Sequence, residues 1–430
     1  MPPRNPRHKN SKTKRKPYQG KARKESRIPL DPAYLVQRPL LSGNYGSHPV
    51  AKLKSTTKHP TVFRKRIASV DSSAAHGDVV KVVADNGEII GYGVWNPRAE
   101  ATIRILSWGD TLPDVHWWSK TLSNAVELRK NQLKLPQSTE AYRVINAEGD
   151  GLPGLVVDVY KDILSVQTYT LAMYQRAEAI AKELAKLMDV PHWVVRTGPK
   201  SFDQEGFVAE GFESGNVPSS IRIKEGNALF EIHPFEGHKT GFFCDQRENR
   251  LQLAKFCGGK DVLDLCCYSG GFAVNAGLGG AKRITAVDLD EEAIEIAKRN
   301  ANINKVKAKF LHVDAFIYMR EMQKNKKKFD VIILDPPKLI RSRDETHDGQ
   351  NKYFDLNQLA ASIIKPGGLL LTCSCSGLLS MNDFTMTVRA ATADANPRLL
   401  FRSGAGGDHP VQMNCLESEY LKCLWMQMQS

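Results

Sequence analysis

The spacing of apolar and polar residues divides the chain into three stretches with different periodicities. From about residue 51 to residue 108, short apolar runs alternate with turns, and the pair Asn86-Gly87 separates two of them. Asn-Gly between apolar runs is typical of the tight turn of a β-hairpin. We therefore predict a small all-β unit with strands over 78–83, 88–95 and 101–106.

The middle of the chain mixes helical and strand patterns. Residues 114–133 and 175–188 carry apolar positions at helical spacing, whereas 155–160 and 163–168 are short runs typical of strands. We predict an α+β domain here, followed by turn and strand signals up to about residue 225.

The most regular alternation of the chain begins at residue 261. Near-continuous apolar runs alternate there with amphipathic stretches, which predicts an α/β domain with a parallel sheet covered by helices on both faces. The predicted strands are 261–265, 283–287, 309–313, 331–334 and 369–372. The predicted helices are 272–278, 291–302, 316–323 and 354–364. Ligands of such sheets bind beyond the carboxyl ends of the strands.

The net charge of +13 is concentrated at the amino terminus. Residues 1–28 hold eleven Lys and Arg against the single acid Glu25, so this segment contributes +10 of the total. It also holds four prolines and few apolar residues, and we therefore predict a disordered basic arm. Such an arm suits contact with nucleic-acid phosphates. A solvated tail and an organellar transit peptide are the alternatives.

Length and composition set further limits. A chain of 430 residues exceeds one typical hydrophobic core, so we expect two or three domains. The sequence has neither a long apolar run nor a secretory signal, and we expect a cytoplasmic protein without membrane contact. Its eight cysteines include no Cys-x-x-Cys pair, so we expect reduced thiols and no metal.

A nucleotide-type cofactor site is indicated at the carboxyl ends of the first three strands of the α/β domain. Asp264 precedes a glycine loop that contains Tyr268, Gly270 and Gly271, and Asp288 and Asp314 follow the next two strands. Carboxylates at these positions can accept from ribose hydroxyls and from an adenine amino group. The loop lacks the Gly-x-Gly-x-x-Gly spacing of NAD sites, which favours S-adenosylmethionine. Helix capping is the alternative role of the second and third acids.

A rigid carboxylate turn follows the fourth strand. The run Asp335-Pro336-Pro337-Lys338 offers carbonyl and carboxylate acceptors without proline amide hydrogens, which suits the edge of a nucleobase. Amino-group methylation usually places an aromatic residue after the two prolines. Lys338 occupies that place, and this favours transfer to a ring carbon. The alternative is a simple strand-exit turn.

Two cysteines, Cys373 and Cys375, stand at the exit of the fifth strand. A free cysteine is more often a small buried residue than a nucleophile. Cys375 is expected at the carboxyl edge of the sheet, within a Ser-Cys-Ser-Gly loop, and both features favour its exposure. Addition of a thiolate to carbon 6 of a cytosine would activate carbon 5 toward a sulfonium methyl group.

The order of five motifs resembles the RlmI-type ribosomal RNA large-subunit methyltransferases. The motifs are Gly241-Phe242-Phe243-Cys244-Asp245-Gln246-Arg247, Tyr268-Ser269-Gly270-Gly271-Phe272, Asp335-Pro336-Pro337-Lys338, Ser374-Cys375-Ser376-Gly377 and Asp408-His409-Pro410-Val411. The resemblance implies a Rossmann-like class I methyltransferase domain, S-adenosylmethionine as donor, and formation of 5-methylcytosine in large-subunit (23S) rRNA. It also implies that Cys375 is the catalytic cysteine and that Gln246 and Arg247 lie near the cofactor. An ordinary helix start with a salt-bridging arginine is the alternative for this pair.

The resemblance and the patterns together give the expected domain order. We expect a basic arm over 1–47, a PUA-type RNA-binding barrel over 48–112, a central α+β domain over 113–225 and the methyltransferase domain over 226–430. The expected partner is ribosomal RNA, and a homodimer is also considered. Methylation of a guanine nitrogen and a non-catalytic role in ribosome assembly are the alternative functions, and an NAD oxidoreductase is a distant one.

Overall fold

The first sheet of the computed structural model lies in the amino-terminal part of the chain. The model describes residues 28–40, 48–235 and 241–429. The six strands of the first sheet are β1 (Val50–Leu53), β2 (Thr61–Val62), β3 (Ile67–Val70), β4 (Val79–Val83), β5 (Ile89–Trp95) and β6 (Ile103–Trp108). They lie in the order β2-β6-β5-β4-β1-β3, and β1 and β4 are the parallel pair. A β-carbon on Gly91 would lie 2.1 Å from the carbonyl oxygen of Ser107, so β5 and β6 need a glycine here.

The second sheet forms the core of the middle domain. Its strands are β7 (Ala141–Asn146), β8 (Leu155–Tyr160), β9 (Ile163–Thr168), β10 (His192–Thr197) and β11 (Phe212–Glu213), in the order β11-β10-β9-β8-β7. The helices are α1 (Val115–Glu127), α2 (Leu171–Tyr174), α3 (Ala177–Met188) and α4 (Ser201–Glu205). Strands β8 and β9 have the bounds that the sequence predicts. The helix predicted to run to residue 133 ends as an α-helix at Glu127 and continues as a π-helical turn, Leu128–Gln132.

The third sheet forms the carboxyl-terminal domain and follows a hairpin of β12 (Ile221–Glu225) and β13 (Ala228–Ile232). Its strands are β14 (Asp261–Leu265), β15 (Arg283–Asp288), β16 (Lys309–His312), β17 (Phe329–Leu334), β18 (Ile364–Ser374), β19 (Pro397–Ser403) and β20 (Lys422–Met428). The helices are α5 (Arg247–Ala254), α6 (Gly271–Leu278), α7 (Glu291–Ile303), α8 (Ala315–Lys324), α9 (Thr346–Ser362) and α10 (Met381–Ala391). The strand order is β16-β15-β14-β17-β18-β20-β19.

The predicted α/β alternation is present and its five predicted strands are parallel, but the sheet has two further strands at one edge that the sequence analysis did not predict. Strands β14 to β18 are parallel, whereas β20 lies antiparallel between β18 and β19. The register pairs Leu371 with Trp425, a fully buried side chain that stacks on Phe401 at 5.1 Å. Strands β19 and β20 are antiparallel neighbours joined by the loop 404–421, so no crossover helix separates them. The alternation of strand and helix patterns in the sequence therefore does not predict them.

The hairpin β12–β13 packs on the carboxyl-terminal domain. The amide of Glu231 donates at 2.8 Å to the side-chain oxygen of Asn300 in α7, and that of Leu229 donates at 2.8 Å to the side-chain oxygen of Asn304, the residue after α7. The hairpin also contacts the middle domain, because the amide of Glu140 donates to the carbonyl of Lys224 at 2.8 Å. The boundary expected between residues 225 and 226 falls at the turn of this hairpin.

Most of the predicted arm, residues 1–27 and 41–47, lies outside the described residues. Residues 28–40 are described, and they pack against the middle domain. Leu30 is buried and its amide donates to the carbonyl of Gly206 at 2.8 Å, while Arg38 forms a 2.8 Å ion pair with Asp78. This part of the expected arm is ordered, and Leu30 is its buried apolar residue. No helix in the described ranges is both long and apolar enough to cross a membrane.

A buried cluster of charged side chains joins the middle and carboxyl-terminal domains. Arg247, at the start of α5, contacts both carboxylate oxygens of Asp408, at 3.0 and 2.9 Å. The backbone amide of Arg143 in β7 donates to the same carboxylate, and Arg129 donates to the Asp408 carbonyl. Burial alone would raise the pKa of Asp408, but His409 and Arg247 outweigh it and hold that pKa well below its ordinary value. The stabilisation is therefore present above the ordinary carboxyl pKa of about 3.9 and lost as pH falls through the lower folded value.

We expect Asp408→Ala to lower the free energy of unfolding by about 3–5 kcal/mol, because it leaves the guanidinium of Arg247 buried without its main partner. Thermal and urea unfolding followed by circular dichroism would measure the change. Glu178→Ala, which breaks the exposed pair with Lys182, is the control and should cost no more than about 0.5 kcal/mol. Equal losses in the two variants would contradict the role given to this cluster.

Candidate active site

The carboxyl edge of the third sheet gathers four of the predicted aspartates. Each sits at or just after the end of a neighbouring parallel strand, and all four are close enough to the thiol of Cys266, in the loop after β14, for their charges to act on it. Burial first, and then the charges of the four carboxylates, raise the pKa of this thiol. The four are Asp264, Asp288, Asp314 and Asp335. Sequence reasoning placed these residues at strand ends, and the fold brings them to one site.

Asp264 has the environment expected of a ligand-binding carboxylate. It is fully buried; its Oδ2 accepts from the amide of Ala273 at 3.0 Å, and its Oδ1 has no hydrogen-bond partner among the described residues. Burial, followed by the charge of Asp335, holds its pKa well above the ordinary value. A buried carboxylate with an unpaired oxygen suits a ligand that brings a positive charge or a donor. S-adenosylmethionine carries an ammonium and a sulfonium, so these residues fit it.

The loop between β14 and α6 is a tight turn built from left-handed residues. Cys266, Tyr268 and Gly270 have φ values of 60°, 46° and 78°. Two non-glycine residues in this region of φ are uncommon and mark a conformation imposed by the surroundings. A β-carbon on Gly271 would lie 2.8 Å from Cδ of Arg250. The predicted glycines thus let the loop pack closely against α5 while its backbone stays at the acidic edge.

The structure assigns different roles to the acids that sequence reasoning could not separate from helix caps. Asp288 holds the glycine loop, because its Oδ2 accepts from the amide of Tyr268 at 2.8 Å. The cap of α7 is Asp290, which accepts from Ala293 at 3.1 Å. Asp314 does cap its helix, accepting from the amide of Ile317 at 3.1 Å. The sequence left a capping role open for Asp288 and Asp314, and only Asp314 has it.

Asp335 is held by the amide side chain of Gln246. The Nε2 of Gln246 donates to Oδ2 of Asp335 at 3.0 Å, and its Oε1 accepts from Asn249 at 2.6 Å. Asn249 in turn accepts from Ser403, whose hydroxyl accepts from the indole nitrogen of Trp425. This chain of hydrogen bonds fixes which end of the Gln246 amide faces the carboxylate. Gln246 is thus at the predicted site, one residue from Arg247, whose guanidinium is engaged by Asp408 and Glu248 instead.

The two cysteines at the exit of β18 lie in different environments. Cys373 is fully buried beside Cys423, its register partner in β20, whereas Cys375 is half-buried just beyond the last strand residue. The Sγ of Cys375 lies 3.9 Å from the carbonyl oxygen of Pro336. The thiol loop and the Asp335 turn are therefore adjacent. Lys338, which follows this turn, is exposed.

Two residues near Cys375 were not singled out in the sequence. The hydroxyl of Tyr353 in α9 lies 2.9 Å from Oγ of Ser374 and 3.1 Å from Oγ of Ser376, and so ties both neighbours of the cysteine. Lys422, the first residue of β20, is buried and donates to the carbonyl of Ser376 at 2.7 Å. A lysine at the start of an apolar run is a signal that could have identified it. Tyrosine is an ordinary residue of amphipathic helices, so the sequence around Tyr353 does not mark it as part of a site.

One group of metal-type ligands occurs in the described part of the chain. His59 of the first sheet lies 2.8 Å from the carboxylate of Glu417, and Cys415 is within 4.8 Å of both. Burial and the charge of Glu417 raise the pKa of Cys415 to about 12, so its thiol is protonated near neutrality. An ion pair and a thiol account for this cluster, which joins the first sheet to the loop before β20.

Family models match two parts of the chain. Residues 51–108 match the PUA-like domain, and residues 237–335 match the ribosomal protein L11 methyltransferase (PrmA) model. The first match covers all six strands of the first sheet, and the second covers the cofactor loop up to Asp335. The predictions of an amino-terminal PUA-type unit and a methyltransferase domain are confirmed.

Solved structures with the same fold include a protein from Streptococcus mutans that is named a SAM-dependent methyltransferase. It is 19% identical with a TM-score of 0.75 and covers 88% of this chain and 100% of its own. Another methyltransferase structure, solved with SAH, is 20% identical with a TM-score of 0.76 and the same coverage. The methyltransferase names and the bound SAH agree with the expected donor, S-adenosylmethionine.

Curated relatives are similar over nearly their whole length. The ribosomal RNA large subunit methyltransferase I of Aliivibrio fischeri is 35% identical over 376 residues, which cover 85% of this chain and 94% of that protein. The protein of the same name from Alteromonas mediterranea is 34% identical over 374 residues, with the same coverage. The chain therefore belongs to the ribosomal RNA large subunit methyltransferase I family.

Proposed function

We propose that this chain transfers a methyl group from S-adenosylmethionine to carbon 5 of a cytosine in large-subunit ribosomal RNA, through a covalent bond between Cys375 and the base. The observation that carries the proposal is the position of the half-buried Cys375, 3.9 Å from the Pro336 carbonyl and on the same edge as the acidic cofactor site. The names of the curated relatives support the RNA substrate, and the PUA-like domain supports RNA binding.

The acidic edge supplies the donor half of the site. Asp264 offers a buried oxygen without a partner among the described residues, and Asp288 fixes the loop and can accept from ribose hydroxyls. Asp314, which caps α8, is the proposed acceptor for the adenine amino group. When bound, S-adenosylmethionine supplies an electrophilic methyl group on a sulfonium. The net negative charge of the edge favours a cationic ligand over a dinucleotide phosphate.

The turn and the thiol supply the acceptor half. The Asp335 carboxylate and the Pro336 carbonyl are acceptors for an exocyclic amine, such as the one on carbon 4 of cytosine. The Cys375 thiolate adds to carbon 6 of the ring, which raises the electron density on carbon 5. After methylation a base removes the carbon-5 proton and the thiolate leaves. The Asp335 turn orients the ring for this addition because Gln246 holds its carboxylate from the other side.

We expect Cys375→Ala to abolish methylation and to remove the covalent adduct that wild-type protein forms with RNA containing 5-fluorocytosine. The fluorine cannot be removed as a proton, so the adduct accumulates and is seen as a gel shift under denaturing conditions. Cys257→Ala, at a buried cysteine that precedes β14, is the matched control and should keep both the methylation and the adduct. An active Cys375→Ala protein would exclude the covalent route.

Asp288→Asn should weaken S-adenosylmethionine binding at least about tenfold, because it removes a charge and an acceptor worth about 1.4 kcal/mol or more. Isothermal titration calorimetry measures the change. Asp290→Asn is the control: it keeps the cap of α7 and leaves the cofactor loop untouched, so its affinity should match that of the wild type. Equal losses would mean that helix α7, and not the ribose acceptor, controls binding.

Ribosomal RNA from cells that lack this protein should miss one methyl group on a cytosine of the large subunit. Mass-spectrometric mapping of nuclease fragments identifies the nucleotide, and purified protein with S-adenosylmethionine should restore the mass. A missing methyl group on guanine would replace the present proposal by guanine methylation. An unchanged methylation pattern would leave a non-catalytic assembly role as the function.

A further inference from the structure

Lys422 is a buried lysine at the start of β20. The residue is 1% exposed, and its Nζ takes part in none of the ion pairs found among the described residues. The contact that the structure gives is a 2.7 Å donation to the carbonyl oxygen of Ser376. An ammonium held by one neutral acceptor in a buried site is costly, so this position favours the neutral amine or a nearby anion.

The geometry directs this amino group to the thiol loop. Lys422 is the register partner of Ser374 in β18, and its Nζ reaches the carbonyl of Ser376. The side chain therefore spans the short backbone turn whose middle residue is Cys375. On the other side of the same thiol is the carbonyl of Pro336, 3.9 Å from Sγ. The thiol loop therefore contacts the lysine through Ser376 and the turn that is proposed to hold the base through Cys375.

The charges around Lys422 support a role in proton transfer. Burial is the largest influence and lowers its pKa to about 8, and Lys338 acts in the same direction. Charges on Cys375, Glu419 and Cys423 act in the opposite direction. Tyr353 is the further titratable group whose pKa responds to the charge of Cys375. An amine with a pKa near 8 has a larger neutral fraction at neutral pH than an ordinary surface lysine, and that neutral fraction can accept a proton.

We propose that Lys422 takes the thiol proton of Cys375 and, as an ammonium ion, holds the sulfur as a thiolate. The S–H bond breaks with its electron pair left on sulfur, and an N–H bond forms at Nζ, so a neutral pair becomes an ion pair. Lys422 keeps this proton while the sulfur adds to the ring and leaves it again. It is therefore a positioning residue for the nucleophile and does not accept the carbon-5 proton. The assignment rests on the proposed function of Cys375.

The thiolate can be measured without RNA or cofactor. The rate of iodoacetamide alkylation of Cys375, read from its peptide by mass spectrometry between pH 5 and pH 10, reports the thiol titration. In wild-type protein we expect a titration point below the ordinary value of about 8.5. Lys422→Met should raise it by about one unit or more, since a nearby opposite charge shifts a thiol by about 1–3 units. Alkylation near neutral pH then falls at least about tenfold.

Two further variants separate a charge effect from a structural one. Lys422→Arg keeps the positive charge and a donor for Ser376, and should restore a low titration point that Lys422→Met loses. Lys365→Met changes a lysine at the far end of β18, paired there with Asp330, and should leave the alkylation profile unchanged. Circular dichroism and the unfolding midpoint show whether each variant is folded.

The proposal is overturned if Cys375 of the wild type titrates at or above 8.5, or if a folded Lys422→Met variant has the wild-type profile. The first outcome needs no variant at all. The result is also independent of the catalytic role of the cysteine. An active Cys375→Ala protein would refute the covalent route, whereas the alkylation profile would still show whether the lysine controls the thiol.

Discussion

The buried ion pair between Arg247 and Asp408 is the interaction on which the arrangement of the site depends. Asp408 lies in the loop before β20, and it also accepts from the backbone of Arg143 in the middle domain. Breaking a buried ion pair leaves an uncompensated charge. The start of α5, the loop before β20 and strand β7 are therefore held in one arrangement. Arg247 directly follows Gln246, so the same pair also fixes the start of α5 from which Gln246 reaches Asp335.

The active edge combines a carboxylate cluster with an ordered polar network behind it. The acids repel one another, as the raised pKa of Asp264 indicates after burial is taken into account. A cationic ligand reduces that repulsion, so the carboxylates favour binding of a cofactor that carries a sulfonium. Behind the edge, the chain from Trp425 through Asn249 to Gln246 orients the acceptors. Polar networks of this kind are rigid only when every member is satisfied.

Much of the carboxyl-terminal domain could be predicted from periodicity alone. The bounds of β14 agree with those expected, as do those of β8 and β9 in the middle domain, because near-continuous apolar runs flanked by turns leave few alternatives. The two final strands were missed, since an antiparallel edge lacks the helix that alternation requires. The glycine loop was found from its residues, but the positive φ of Cys266 and Tyr268 was not, because the loop is held by distant residues such as Asp288, which accepts from the amide of Tyr268.

The sequence by itself determined the class of the domain, the strand ends that carry chemistry, and the residue types available there. Those properties are local, because a strand end and a carboxylate are encoded within a few neighbouring residues. Only the tertiary structure decided which side chains meet. Arg247 matched a cofactor motif in sequence but is bound to Asp408, some 160 positions away, while Lys422 reaches the loop of Cys375 from a strand that periodicity did not reveal. Contacts between distant segments depend on register and burial, and no local pattern contains them.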